Sequence, residues 1–213
     1  MNIRVLINIL LVRLNIRKVL PKEAVRRVRV VECGEPIVAV SGTDFILLGD
    51  EAFAYGRTGL IAKLYQVDEA LHKEGYRLGI YEVLRDQDTQ LSRRNSEYAI
   101  IRSQHPEYDE AKVQSVLDSR VSNITGSDTG GHQTGGAIDC TLCAPDGSPL
   151  DMGTEYLGFN HRTITDSPDL TTEQKRNRDI LCRVMRNAGF VNFPNEWWHF
   201  SYGDKMWAAY SYK

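Results

Sequence analysis

The residues best suited to chemistry fall in two short stretches. In Gly126-Ser127-Asp128-Thr129-Gly130-Gly131-His132-Gln133-Thr134-Gly135-Gly136-Ala137-Ile138-Asp139, five of the chain's 17 glycines surround a histidine, and an aspartate follows seven residues after it. Near the C-terminus, Asn195-Glu196-Trp197-Trp198-His199-Phe200 sets a glutamate and a histidine three residues apart, with two tryptophans between them. Imidazole and carboxylate donors suit zinc. A zinc hydrolase needs three protein ligands, an open fourth position, and a carboxylate outside the ligand set that can take a proton. His132, Asp139 and His199 meet the first requirement and Glu196 the last. The H-E-x-x-H helix signature is absent, so the fold itself must bring separate segments together. The glycines are not a phosphate cradle, because neither G-x-G-x-x-G nor G-x-x-x-x-G-K-[ST] occurs among them.

Taken singly, each residue has an ordinary explanation: His132 as a polar loop residue, Asp139 as a turn cap, Glu196 as a solvated group at a strand edge. Glu196 and His199 would face opposite sides of a flat strand, so a turn or bulge must re-aim one of them. Trp197 and Trp198 cannot both enter the core from a regular strand. One is expected to pack against the sheet while the other shields the site.

The elements that must position these groups are legible from periodicity. Residues 27–31 and 36–40 read as short strands around Gly34, and 76–83 as a stronger one. Between them, Leu60, Ile61, Leu64, Val67 and Leu71 share one face of a helix that stops at Gly75. Helices are expected at 87–103 and 109–120, separated by His105-Pro106. A last helix spans 172–188, with a Thr171/Gln174 capping box, a stripe of Ile180, Leu181, Val184 and Met185, and Gly189 at its end. Residues 137–143 read as a strand before the turn Pro145-Asp146-Gly147. The unpatterned stretch from about 153 to 170 is the expected rim of a site. Strands and helices in irregular order predict an α+β domain with a mainly antiparallel sheet.

The 213 residues suit one domain, and 42% apolar with 25% charged residues excludes disorder. Twenty-six basic against 28 acidic residues leave a net charge of −2 and no basic stripe, which argues against nucleic acid as a partner. Arg4, Arg13 and Arg17 limit the uncharged N-terminal run to 5–12, too short for an integral membrane span. That segment reads as a signal, an amphipathic stretch or an extended start. Cytoplasm is the expected compartment, with the periplasm or secretion as alternatives. Cys140 and Cys143 fall on opposite faces of a strand and read as packing residues, not as a redox or zinc pair.

The pattern Gly-x-His132-x-x-Gly135-x-Ala137-x-Asp139 followed by Glu196-Trp197-Trp198-His199 resembles the D-alanyl-D-alanine dipeptidase family, zinc metallopeptidases related to zinc D,D-carboxypeptidases and to the hedgehog-type fold. Ile80-Tyr81-Glu82-Val83-Leu84-Arg85, Leu150-Asp151-Met152-Gly153-Thr154 and Asn187-Ala188-Gly189-Phe190 resemble it too. The resemblance implies one Zn²⁺ per chain held by His132, Asp139 and His199. Glu196 would be the general base in attack by a zinc-bound water, and Arg85 the group that stabilises the oxyanion. It implies a small cell-wall peptide, D-Ala-D-Ala or a close relative, as substrate. The expected division is 1–25 as an N-terminal extension of unknown role and 26–213 as the zinc peptidase domain.

Three departures concern the substrate. Gly130 stands where the family has Ser, Tyr156-Leu157 where it has Phe-Asp, and Asp86 where a Pro follows the arginine. That Asp holds the substrate's ammonium in the family, so dipeptide recognition is expected to be altered, with Glu155 or Asp151 as substitutes. Alternatives are a D,D-carboxypeptidase or peptidoglycan endopeptidase acting on longer stem peptides, and a non-catalytic zinc-stabilised binding domain.

Overall fold

The apolar stripe Leu60, Ile61, Leu64, Val67 and Leu71 is buried along helix α2 (Thr58–Lys73), and Gly75 ends that segment at φ +82°. The computed structural model describes residues 7, 8, 10–12, 14, 19–123 and 130–211, the side chain of Glu23 excepted. Val5, Leu6 and Ile9 of the apolar run at 5–12, for which the sequence leaves three readings, lie outside these residues, as do Gly126, Ser127, Asp128 and Thr129. Residues 7, 8 and 10–12 are helical, and further helices are α1 (Lys22–Arg26), α3 (Gln87–Gln104), α4 (Glu110–Arg120), α5 (Thr172–Asn187) and α6 (Lys205–Tyr210). Helix α5 carries the expected Thr171/Gln174 capping box, but it is not the last helix, because the six-residue α6 follows it.

Strands β1 (Ile37–Ala39) and β3 (Tyr55–Arg57) form an antiparallel pair. A five-stranded sheet runs in the order β2 (Ile46–Leu47), β4 (Arg77–Glu82), β5 (Ala137–Cys143), β7 (His199–Ser201) and β6 (Val191–Asn192). Only β2 and β4 are parallel, as the α+β reading expects. Every residue of the central β5 is buried. Cys140 and Cys143 are free thiols packed inside, as read from sequence. Helix α2 packs on β4, α5 packs on β5, and the two helices touch.

Residues 27–31 form no strand. Their Val-Arg-Val-Val alternation mimics one, but the segment runs along a cavity wall instead of joining a ladder. Both tryptophans are buried, at 1% and 0% exposure, against the expectation that only one could be. They sit in the turn before β7, where strand alternation does not apply.

The loop from 151 to 167 is held by Arg178 of α5, a buried guanidinium whose hydrogen bonds go to main-chain carbonyls. Its Nε donates to Met152 O at 2.7 Å, Nη1 to Ile164 O at 2.7 Å, and Nη2 to Arg162 O at 2.8 Å. The same group lies 5.6 Å from the Trp197 ring centre. Arg178→Met keeps the apolar stem but strips three charge-assisted bonds and leaves their carbonyls unpaired. We expect a loss of about 3 kcal/mol, read as a melting-temperature drop of roughly 6–12 °C for a chain of this size. A drop under about 2 °C would show that the loop does not depend on this residue.

Candidate active site and metal centre

Register across the sheet builds the site. Ile80 of β4 pairs with Cys140, yet Glu82 pairs with Asp139, so a bulge at Tyr81 absorbs one residue and turns Glu82 to the side occupied by Asp139. On the other side Asp139 pairs with His199 of β7. Glu82, Asp139 and His199 therefore form one row across three neighbouring strands.

His132 joins the row from a 3-10 turn, His132–Thr134, in the glycine-rich stretch. The glycines have steric reasons to be there. A Cβ on Gly131 would lie 2.2 Å from the Asp204 carboxylate, and Gly135 ends the turn at φ +65°. The His132 Nδ1 lies 2.8 Å from the Val83 carbonyl, which accepts only if that nitrogen carries the proton. The Nε2 lone pair is then left to face the site.

Three donor atoms converge. His132 Nε2 is 3.2 Å from His199 Nδ1 and 3.3 Å from Asp139 Oδ1, and His199 Nδ1 is 3.0 Å from the same oxygen. Ligands of a tetrahedral zinc, at bond lengths of 2.0–2.1 Å, stand about 3.3 Å apart. The residues present fit such an ion with three protein ligands, and all three are buried. Burial alone would raise the Asp139 carboxyl, but the two imidazoles outweigh it and hold the group well below the usual carboxylate range.

Glu196 sits in the turn before β7, as its three-residue spacing from His199 required. The Asn192 amide clamps this turn, donating to the Glu196 carbonyl at 3.1 Å and to the His199 carbonyl at 3.0 Å. Glu196 lines the same cavity of about 400 Å³ as the three donors, and it is not one of them. Enclosure in that cavity, aided by the Asp139 charge, pushes its carboxyl up to about 7.

Arg85 is buried at the cavity wall, its backbone N–H donating to the His132 carbonyl at 3.2 Å. Its Nε and Nη2 grip the Glu82 carboxylate at 2.6 and 2.5 Å, and Nη1 donates to Gln90 Oε1 at 2.7 Å. Two of the five guanidinium N–H donors remain, and Nη2 stands 3.8 Å from Asp139 Oδ2. Burial would lower the guanidinium, but the Glu82 carboxylate outweighs it and raises it further.

Sequence reasoning missed Glu82, Tyr156 and Asn192. Glu82 is 1% exposed and also accepts from Arg93 at 2.9 Å. The Tyr156 hydroxyl lies 2.9 Å from Asp139 Oδ2 and 3.1 Å from Glu82 Oε2, and its ring stacks on Tyr81 at 4.2 Å. Leu157 lines the cavity at φ +61°, the one non-glycine φ in the left-handed region among the described residues. Asp and Asn enter that region several-fold more readily than Leu, so the turn keeps a shape suited to the aspartate the resemblance expects. Neither proposed substitute reaches the cavity among the described residues. Asp151 accepts instead from Gly153 N and Gln174 Nε2, at 2.8 and 2.7 Å.

The sheet order and the His-Asp-His cluster define an α+β domain with three buried residues placed where they could hold a metal ion. A similar fold is seen in VanYB, solved in complex with D-alanine-D-alanine, with a TM-score of 0.53 at 14% identity over 86% of each chain. The profile of the Peptidase M15 family, described as D-Ala-D-Ala dipeptidase, matches residues 47–212, and the chain belongs to that family. Similar relatives are the D-alanyl-D-alanine dipeptidases of Synechocystis sp., 40% identical over 88 residues, and of Escherichia coli, 39% identical over 69 residues. These alignments cover 36% and 32% of this chain, and 36% of each relative's length.

Proposed function

We propose that the chain is a zinc metallopeptidase that hydrolyses D-Ala-D-Ala or a closely related short cell-wall peptide. The observation that carries this reading is the convergence of three buried donors within 3.0–3.3 Å of one another, with a non-ligand carboxylate in the same cavity. A binding domain has no use for that carboxylate, and a structural site closes its fourth position with protein. His132, Asp139 and His199 would hold Zn²⁺, one per chain, which when bound supplies Lewis acidity to the scissile carbonyl and makes water easier to deprotonate. Glu196 takes the proton of the attacking water and returns it to the leaving nitrogen. Arg85 directs its remaining N–H donors at the oxygen that gains negative charge, where an always-ionised guanidinium is useful.

Tyr156 orients the metal ligand Asp139 from behind. Tyr156→Phe removes only the hydroxyl, and such outer contacts are worth roughly 10–100-fold in metal affinity. We expect zinc affinity, measured by competition with a chromophoric chelator, to fall by about tenfold or more. Unchanged affinity would refute this role.

The deciding experiment incubates the zinc-loaded protein with free D-Ala-D-Ala and with a stem pentapeptide and follows D-Ala release. Turnover of the dipeptide supports the proposal, and turnover of the pentapeptide alone replaces it with a carboxypeptidase. Leu157 favours that second reading, since an apolar wall in place of a carboxylate holds a substrate ammonium poorly.

A further inference from the structure

The turn that carries His132 is held from two sides. On one side the Val83 carbonyl faces the imidazole Nδ1 at 2.8 Å and the Arg85 N–H meets the His132 carbonyl. The other end needs a partner from outside, because the last carbonyls of a helical turn have no donor within it. Thr134 O and Gly135 O are those carbonyls, and one residue of β3 meets both. The Arg57 backbone N–H donates to Gly135 O at 3.2 Å, and its Nε donates to Thr134 O at 2.7 Å. The fit is close. A Cβ on Gly135 would lie 2.7 Å from Ile37 Cδ1 and 3.3 Å from Arg57 N, so the β1/β3 pair seats directly against the turn.

A long side chain holds such a place only if its far end is fixed. Glu32 accepts from Arg57 Nη1 at 2.5 Å and from Nη2 at 2.8 Å, and Nη1 also lies 3.5 Å from Cys33 Sγ. The Glu32 carboxylate is mostly exposed, so the ion pair contributes little stability by itself. Its two-point geometry matters more, since it stops the guanidinium from swinging away and keeps Nε on Thr134 O. The segment behind Glu32 is pinned in turn: Glu35 accepts from Gly59 N at 2.8 Å, and the Pro36 carbonyl accepts from Thr58 N at 3.1 Å.

We infer that Arg57 is a positioning residue for the metal centre. By closing the far end of the His132–Thr134 turn it keeps His132 in place beside Asp139 and His199, and Glu32 keeps Arg57 aimed. This rests on the zinc reading above and deepens it. Glu32 and Ile37 precede the 47–212 span that matches the family profile. The metal affinity of this chain therefore depends on residues outside that span.

The test measures zinc affinity of full-length protein by competition with a chromophoric chelator, together with the melting temperature of the metal-free form. Arg57→Met keeps the apolar stem and the backbone bond to Gly135 but removes every side-chain donor. Its zinc affinity should fall by about tenfold, the low end for outer contacts, because Arg57 acts through the main chain and not on a ligand atom. Glu32→Gln loosens the aim without removing the donor, and its affinity should fall between wild type and Arg57→Met. The matched control is Arg77→Met at the opposite end of β4 from Glu82. Arg77 also holds a carboxylate, Asp68, at 3.2 Å and a main-chain carbonyl, Asp44 O, at 2.9 Å. Its loss should lower the melting temperature by a similar amount and leave zinc affinity unchanged. Zinc affinity within about twofold of wild type in Arg57→Met, or an equal weakening in Arg77→Met, overturns the inference and leaves the metal site standing. If Arg57→Met does not fold, Glu32→Gln decides, and wild-type affinity there overturns the inference. Wild type that binds no zinc overturns the metal reading, and the inference with it.

Discussion

Replacing Glu196 with Gln is expected to lower kcat by roughly 10²–10⁴, the range for a positioned general base, while zinc content stays at wild-type level. Gln keeps the size and hydrogen-bonding reach of Glu, so the turn clamped by Asn192 survives, and the three donors that would hold the metal do not include residue 196. Only proton transfer is removed. The size of the effect follows from where the carboxyl sits: enclosure raises it to about 7, close to the pH at which it must work. A strong acid could take a proton only fleetingly, and a strong base would not return it. The sign is also fixed. The ionised form is the base, so kcat/KM should fall as pH drops through the Glu196 titration, and a bound cation nearby moves that limb below 7. A Glu196→Gln enzyme that binds zinc normally and turns over as fast as wild type would defeat the mechanism.

Arg85→Ala is the second large effect, a loss of roughly 10²–10³ in kcat, the scale for removing one oxyanion donor. The obvious objection is that Glu82, 1% exposed, would be left as a stranded anion. It would not be alone, because Arg93 stays 2.9 Å away and the Tyr156 hydroxyl 3.1 Å away. The fold should therefore persist with a lowered melting temperature, and the loss should appear in kcat more than in KM. Glu82→Gln gives the complementary reading. It leaves the guanidinium in the cavity but weakens the two-point grip that aims it, so the loss should be smaller. A full wild-type kcat in Arg85→Ala would show that the guanidinium serves only the Glu82 network.

The helices α2 and α5 were legible because their apolar stripes and caps are local features, and the His-Asp-Glu-His set was legible as residue types that make sense only together. Arg85 came from resemblance alone, since a charge among charges carries no local mark. Glu82 was hidden for a different reason. Its direction depends on a bulge that shifts register by one residue, and its partners come from 156 as well as from 85 and 93. Residues 27–31 misled because alternation describes any extended chain with one covered side, whether sheet or cavity wall covers it. The six-residue α6 and the two-residue β2 and β6 are too short for any period to show.

The row Glu82, Asp139 and His199 is fixed by ladder hydrogen bonds in the central sheet, whereas Leu157 stands on irregular backbone at the cavity's edge. Chemistry and selectivity are thus written on separable parts. For an engineer this makes the turn at 157 exchangeable so long as the Tyr156 hydroxyl is kept on Asp139: new versions can be grafted to change which peptide is accepted without re-solving how a bond is broken. For natural drift it means that descendants of one such enzyme can trade diets while their metal chemistry stands still.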